Sequence, residues 1–134
     1  MIYLDSCALL KFIKPEKETE ALRAWRAGLP DGTELIGSEL ARLEITRTLY
    51  RAGVDHQRVP FFVAQAVRGV YLADVTTTVM ARAAAYRTQR LGTLDAIHLA
   101  SADPFRQDIT EFVTYDQELG RAAEELGFPM SAPA

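Results

Sequence analysis

Cysteine occurs once, at Cys7, so no disulfide can form within the chain. A lone thiol fits the reducing cytoplasm, and Cys7 reads as a small buried hydrophobe. Lysine is almost as scarce: Lys11, Lys14 and Lys17 all fall before residue 20. Chemistry that needs a lysine at the end of a late strand is thereby excluded. No apolar run approaches the roughly 20 residues of a membrane helix. The N-terminus lacks the basic-then-apolar pattern of a secretory signal. Repeats, low-complexity tracts and linker-like segments are missing too, and 134 residues suit one domain, 1–134. At 49% hydrophobic and 25% charged the composition is that of a globular chain, which rules out disorder.

Net charge is −3, which argues against a polyanion partner until its distribution is considered. Between Arg42 and Arg90 eight arginines face only Glu44, Asp55 and Asp74. The last third is acidic, with Arg106 and Arg121 against eight Asp and Glu residues. This separation suits a protein that holds a cation in one place and phosphates beside it. Arginines spread over the wet faces of helices give the same tally.

Short apolar runs predict strands over Ile2–Asp5, Glu34–Gly37, Val70–Val75, Glu111–Tyr115 and Phe128–Met130. Helical periodicity predicts helices over Cys7–Ile13, Glu18–Ala27, Ser38–Ala52, Asp55–Val67, Thr77–Arg90, Thr93–Ala102 and Gln117–Leu126. Ser38 and Thr93 suit N-caps, while Gly53 and Gly127 suit helix ends. Strands alternating with helices imply an α/β fold, a three-layer sandwich around a parallel sheet of four to five strands. Such a sheet collects its strand ends along one edge, where ligands bind.

Two aspartates stand at predicted strand ends, Asp5 after Ile2-Tyr3-Leu4 and Asp116 after Phe112-Val113-Thr114-Tyr115. Each can equally cap the helix that follows, and capping and ligand binding are compatible roles. Glu44 lies in a polar strip with Arg47, Thr48 and Arg51. That strip runs between an arc of Ala41, Ile45, Leu49 and Ala52 and a second of Leu40, Leu43 and Tyr50. The pattern predicts a helix packed on both sides and facing a cleft; a solvated strip with a Glu44–Arg47 pair is the plainer alternative. Asp95 occupies a helix that is almost wholly apolar or small, so its carboxylate must be paired, hydrogen-bonded or metal-bound. His98 on the same face reads as a hydrogen-bonded core residue rather than a ligand, and His56 lies in a polar turn.

Acids gathered at one point repel, and a hard divalent cation relieves the repulsion. Mg²⁺ suits carboxylates, retained water and phosphate oxygens, and such a site can attack a phosphodiester. With those residues assembled, the chain resembles a PIN-domain ribonuclease of the VapC toxin type. The resemblance rests on Met-Ile-Tyr-Leu-Asp-Ser-Cys-Ala-Leu at the start, Ser38–Leu49 around Glu44, Leu-Asp-Ala-Ile-His-Leu-Ala around Asp95, and Val-Thr-Tyr-Asp ending at Asp116. Glu39 is the competing acid on the third long helix, and the spacing after Ser38 favours Glu44.

The resemblance implies a Mg²⁺- or Mn²⁺-dependent endoribonuclease with Asp5, Glu44, Asp95 and Asp116 as its acidic cluster. Asp5, Asp95 and Asp116 would be metal ligands, directly or through water, with Glu44 orienting water or a second ion. Ser6 and Thr114 would support the cluster by hydrogen bonds. The family also implies a VapB-type antitoxin and a homodimer. The acidic last third points to a selective, structured RNA substrate.

Other functions fit less well. A phosphorelay receiver needs the late lysine and paired acids at the first strand, and Asp5 stands alone. A non-catalytic RNA- or protein-binding PIN module is the expectation where an acid is lost, and all four are present. Two histidines without an evident partner disfavour an acid–base ribonuclease. A housekeeping PIN nuclease in RNA processing shares every residue, and gene context separates it from a toxin.

Overall fold

The computed structural model describes residues 1–134. The strands are β1 (Ile2–Leu4), β2 (Leu35–Ser38), β3 (Val70–Ala73), β4 (Glu111–Val113) and β5 (Met130–Ser131). The helices are α1 (Ser6–Lys11), α2 (Thr19–Ala27), α3 (Leu40–Arg51), α4 (Val59–Ala66), α5 (Thr77–Ala85), α6 (Thr93–Ala102) and α7 (Gln117–Glu125). All pairings are parallel, in the order β3-β2-β1-β4-β5.

Successive strand residues point to opposite faces, and this alternation builds two cores. Ile2, Leu4, Leu35 and Val113 meet Leu9, Leu22, Ile45, Leu49 and Val63 from α1–α4 on one face. Tyr3, Ile36 and Phe112 meet Leu99 and Ala102 of α6, Leu119 and Ala123 of α7, and Phe128 on the other. The result is the expected α/β/α sandwich. No helix is long and apolar enough to cross a membrane.

Boundaries differ where local chemistry stops an element early. β1 stops at Leu4 and β4 at Val113, short of the expected Asp5 and Tyr115, and Asp5 and Asp116 cap the following helices by accepting from the backbone N–H of Ala8 and Leu119. Ser38 stays in β2 and Gly92 precedes α6, so neither Ser38 nor Thr93 occupies the N-cap position expected of it. The helix expected from Asp55 starts at Val59, because the Asp55 side chain accepts from Gln57 N–H (3.0 Å) in a local turn and Pro60 suits a first helical turn. α5 ends at Ala85 rather than Arg90: Tyr86 turns extended and packs its ring against the second core. Gly53 and Gly127 do follow helix ends, at φ of 79° and 88°.

The chain order moves outward from β1 through β2 to β3 on one side and through β4 to β5 on the other. The direction of winding therefore switches between β1 and β4. In a parallel sheet a crevice opens there, at the carboxyl ends of the strands.

Candidate active site

Asp5 and Asp116 stand at that switch point, each just beyond the end of β1 or β4. A cavity of about 570 Å³ opens beside them, and its wall includes Asp5, Glu44, Asp95 and Asp116. Residues more than a hundred positions apart in sequence thus share one space. Ser6, Arg47 and Arg51 line it as well.

Asp5 is almost sealed from solvent, at 3% exposure. Its Oδ1 accepts from Ala8 N–H (2.8 Å) and its Oδ2 from the Thr114 hydroxyl. Thr114 oxygen in turn accepts from Asp116 N–H (3.0 Å), so one buried hydroxyl ties both strand-end aspartates together. Burial raises the Asp5 pKa above the usual carboxylate value, against the opposing pull of His98 and of these two hydrogen bonds. Asp116 is exposed and caps α7 through Oδ1 (3.1 Å).

Asp95 lies in the first turn of α6, half-buried, while every residue from Ala96 to Ala102 is buried. Its pKa is raised to about 6, first by burial and then by the charges of Asp116, Asp5 and Glu44. His98 acts against this shift. Asp95 thus feels the other three acids of the cavity wall.

Glu44 is held from the opposite wall. Its Oε1 lies 2.6 Å from His98 Nε2, and His98 Nδ1 lies 2.7 Å from the Tyr3 hydroxyl. His98 is the core residue expected, but it has two partners where the sequence showed none. Its full burial on an apolar helix, one turn beyond Asp95, was the available signal that partners must exist. Glu39 is occupied elsewhere, pairing with Arg42 at 2.7 Å.

Three further placements sharpen the site. Thr114 makes the hydrogen bond to Asp5, whereas Ser6 opens α1 on the cavity wall. Cys7, expected to be buried, is exposed on the same wall, because Ala8 and Leu9 take the core-facing positions of this short helix. The second apolar arc of α3 is only partly packed: Leu40 is buried, but Leu43 and Tyr50 are 59% and 36% exposed. α3 buries its first arc in one core, while of the second arc only Leu40 is buried and Leu43 lies exposed on the cavity wall, so the expected two-sided packing is partial.

The donor set is all oxygen, and burial together with the neighbouring acids raises the proton affinity of Asp95 and Asp5, which suits a hard cation. No three Asp, Glu, His or Cys side chains close around a point able to hold a metal alone. An ion that keeps several waters and takes one or two carboxylates, as Mg²⁺ does, is compatible with that spacing.

A parallel α/β/α sandwich with acids collected at its switch point defines a class of protein with a carboxylate-lined cleft at the sheet edge. The PIN domain family matches residues 2–125, and the chain belongs to that family. Curated relatives from Mycobacterium tuberculosis include "Ribonuclease VapC47", 36% identical across 99% of this chain and 97% of the relative. "Ribonuclease VapC35" is 38% identical over the same shares of each. Among solved structures, M. tuberculosis VapC20, a toxin described as cleaving the sarcin–ricin loop, superposes with a TM-score of 0.75 at 16% identity, covering 99% of this chain and 100% of that one. VapBC2 from Rickettsia felis gives a TM-score of 0.74 at 10% identity, with full coverage of both chains. At those identities the structures speak for the fold.

Proposed function

We propose that this chain is a metal-dependent endoribonuclease of the VapC type, acting in the cytoplasm as the toxin of a toxin–antitoxin pair. The observation that carries the reading is the convergence of Asp5, Glu44, Asp95 and Asp116 on one cavity at the switch point of the sheet. The ribonuclease names of relatives at 35–38% identity, matched over nearly their whole length, support the reaction class.

Asp5, Asp95 and Asp116 would hold Mg²⁺ or Mn²⁺, one or two of them directly and the rest through retained water, with Glu44 orienting a water or a second ion. When bound, the metal supplies positive charge to the phosphate oxygens and lowers the pKa of a coordinated water. Asp5 is kept in place by Thr114 and by the first turn of α1. Arg47 and Arg51, one turn apart on α3, line the cavity, are exposed and make no ion pair within the chain. They would take RNA backbone phosphates next to the scissile bond, fixing the strand without reading its sequence. Arg42, by contrast, is engaged by Glu39.

As partners we propose a cognate VapB-type antitoxin, which would block the cavity, and a second copy of the chain. Solved relatives in this fold include complexes described as VapBC2 from R. felis and a toxin–antitoxin complex from Klebsiella pneumoniae. Induced expression should arrest growth, and coexpression of the partner should restore it. Growth unaffected by soluble wild-type protein would favour housekeeping RNA processing by the same chemistry.

A further inference from the structure

Glu44 stands on α3, with its Oε1 joined to His98 on α6, and His98 is joined to Tyr3 on the central strand β1. The order along this chain is buried hydroxyl, buried imidazole, cavity-wall carboxylate. Tyr3 is 0% and His98 1% exposed. The Tyr3 ring stacks on Phe112 (4.7 Å between centroids, 19° between planes) and meets the His98 ring edge-on (6.0 Å, 79°). Both rings are fixed by packing before any hydrogen bond is counted.

Nε2 faces a carboxylate, so it carries a proton and donates whether the ring is neutral or cationic. In the neutral ring Nδ1 is then the acceptor, and the Tyr3 hydroxyl donates to it. A core histidine that needed only to be satisfied could end at Tyr3 and a backbone carbonyl. Here its second nitrogen is spent on an acid of the cavity. A glutamate on a helix surface otherwise samples several rotamers, and fixing it costs side-chain entropy. The bond to a buried, packed imidazole makes that ordering part of the fold and leaves Oε2 without a partner inside the chain.

We propose that Tyr3 and His98 are positioning residues, holding Glu44 in the single orientation in which its free oxygen serves the reaction. This rests on the reading of the cavity as a ribonuclease site. It follows the general pattern in which a group behind a functional carboxylate changes activity by about 10–100-fold when lost.

The two nitrogens of His98 can be tested separately. The amide of His98→Asn falls near Nδ1 and retains a partner for Tyr3; the amide of His98→Gln reaches the place of Nε2 and retains a donor to Glu44. Expected for His98→Asn is a fall in kcat of about tenfold or more with KM for RNA little changed, while His98→Gln recovers most of that loss. A role confined to stability predicts losses that follow thermal unfolding in both variants alike. The proposal is overturned if His98→Asn cleaves as the wild type does, or if both variants fall equally at the same folded fraction. NMR of the intact wild type supplies a readout independent of cleavage. A slowly exchanging, downfield proton on His98 Nε2 is expected, and Glu44→Ala should abolish it. Persistence of that signal in Glu44→Ala also overturns the proposal. Wild-type protein that fails to cut RNA refutes the ribonuclease reading instead, with the NMR signal still deciding whether Glu44 is tied.

Discussion

Removing the charge of Asp95 should stabilise the metal-free protein while destroying its activity. The carboxyl is raised from its ordinary 3.8 to about 6 by burial and by Asp116, Asp5 and Glu44. A raised acid binds its proton more tightly folded than unfolded. Its contribution is neutral below both values, becomes unfavourable as pH rises between them, and is fully unfavourable above about 6. At 1.36 kcal/mol for each tenfold change in proton affinity, the rise from 3.8 to about 6 corresponds to about 3 kcal/mol. Asp95 is only half-buried, and solvent screening reduces this to about 1 kcal/mol. Asp95→Asn in EDTA near pH 7.5 should therefore melt about 3–5 °C higher than wild type. That advantage should shrink as the pH is lowered through the window from 6 toward 3.8. Added Mg²⁺ should raise the melting temperature of the wild type and do less for the variant, since binding to the folded state alone adds stability. Thermal denaturation followed by circular dichroism decides the matter. Equal or lower stability of Asp95→Asn in EDTA would refute the reasoning, because the carboxylate would then be no burden on the apo fold.

Other substitutions probe separate parts of the account. Arg47→Ala and Arg51→Ala should each weaken binding of single-stranded RNA in EDTA for all sequences alike and reduce the slope of log K against log salt by about 0.7; an unchanged slope would remove the phosphate role. Thr114→Val should cost roughly 2–3 kcal/mol in urea unfolding, since it strips a hydrogen bond from buried Asp5 and leaves Asp116 N–H unpaired; a loss below about 0.5 kcal/mol would contradict the link between the two acids. Leu99→Ala, at a 0% exposed position of α6, should cost about 2–4 kcal/mol by leaving a cavity in the second core, and a neutral result would mean that core collapses around it.

The sheet and two of its acids were legible in the sequence because both depend on local signals. Apolar runs with aspartate at their ends mark parallel strands feeding helices, and Asp5 and Asp116 lie where that reading puts them. Asp95 was legible through contrast, as a charge on a helix with a buried remainder. What escaped was set by packing between distant elements. The Tyr3–His98–Glu44 chain spans separations of 95 and 54 residues, and no local pattern encodes it. Periodicity identified two apolar arcs on α3, but it cannot say which arc meets the core, and Leu43 and Tyr50 proved exposed. Cys7 lies on the cavity wall rather than in the core for a related reason: on a helix of six residues one step of rotation separates the two.

Convergence of Asp5, Glu44, Asp95 and Asp116 on one cavity predicts RNA cleavage that depends on a divalent metal. The most direct test is cleavage of a defined RNA by the purified protein with Mg²⁺, with EDTA in place of the metal, and with Asp5→Asn. Internal cleavage by the wild type that is lost in EDTA and in the variant is the predicted result. Undiminished cleavage in EDTA or by Asp5→Asn would contradict it.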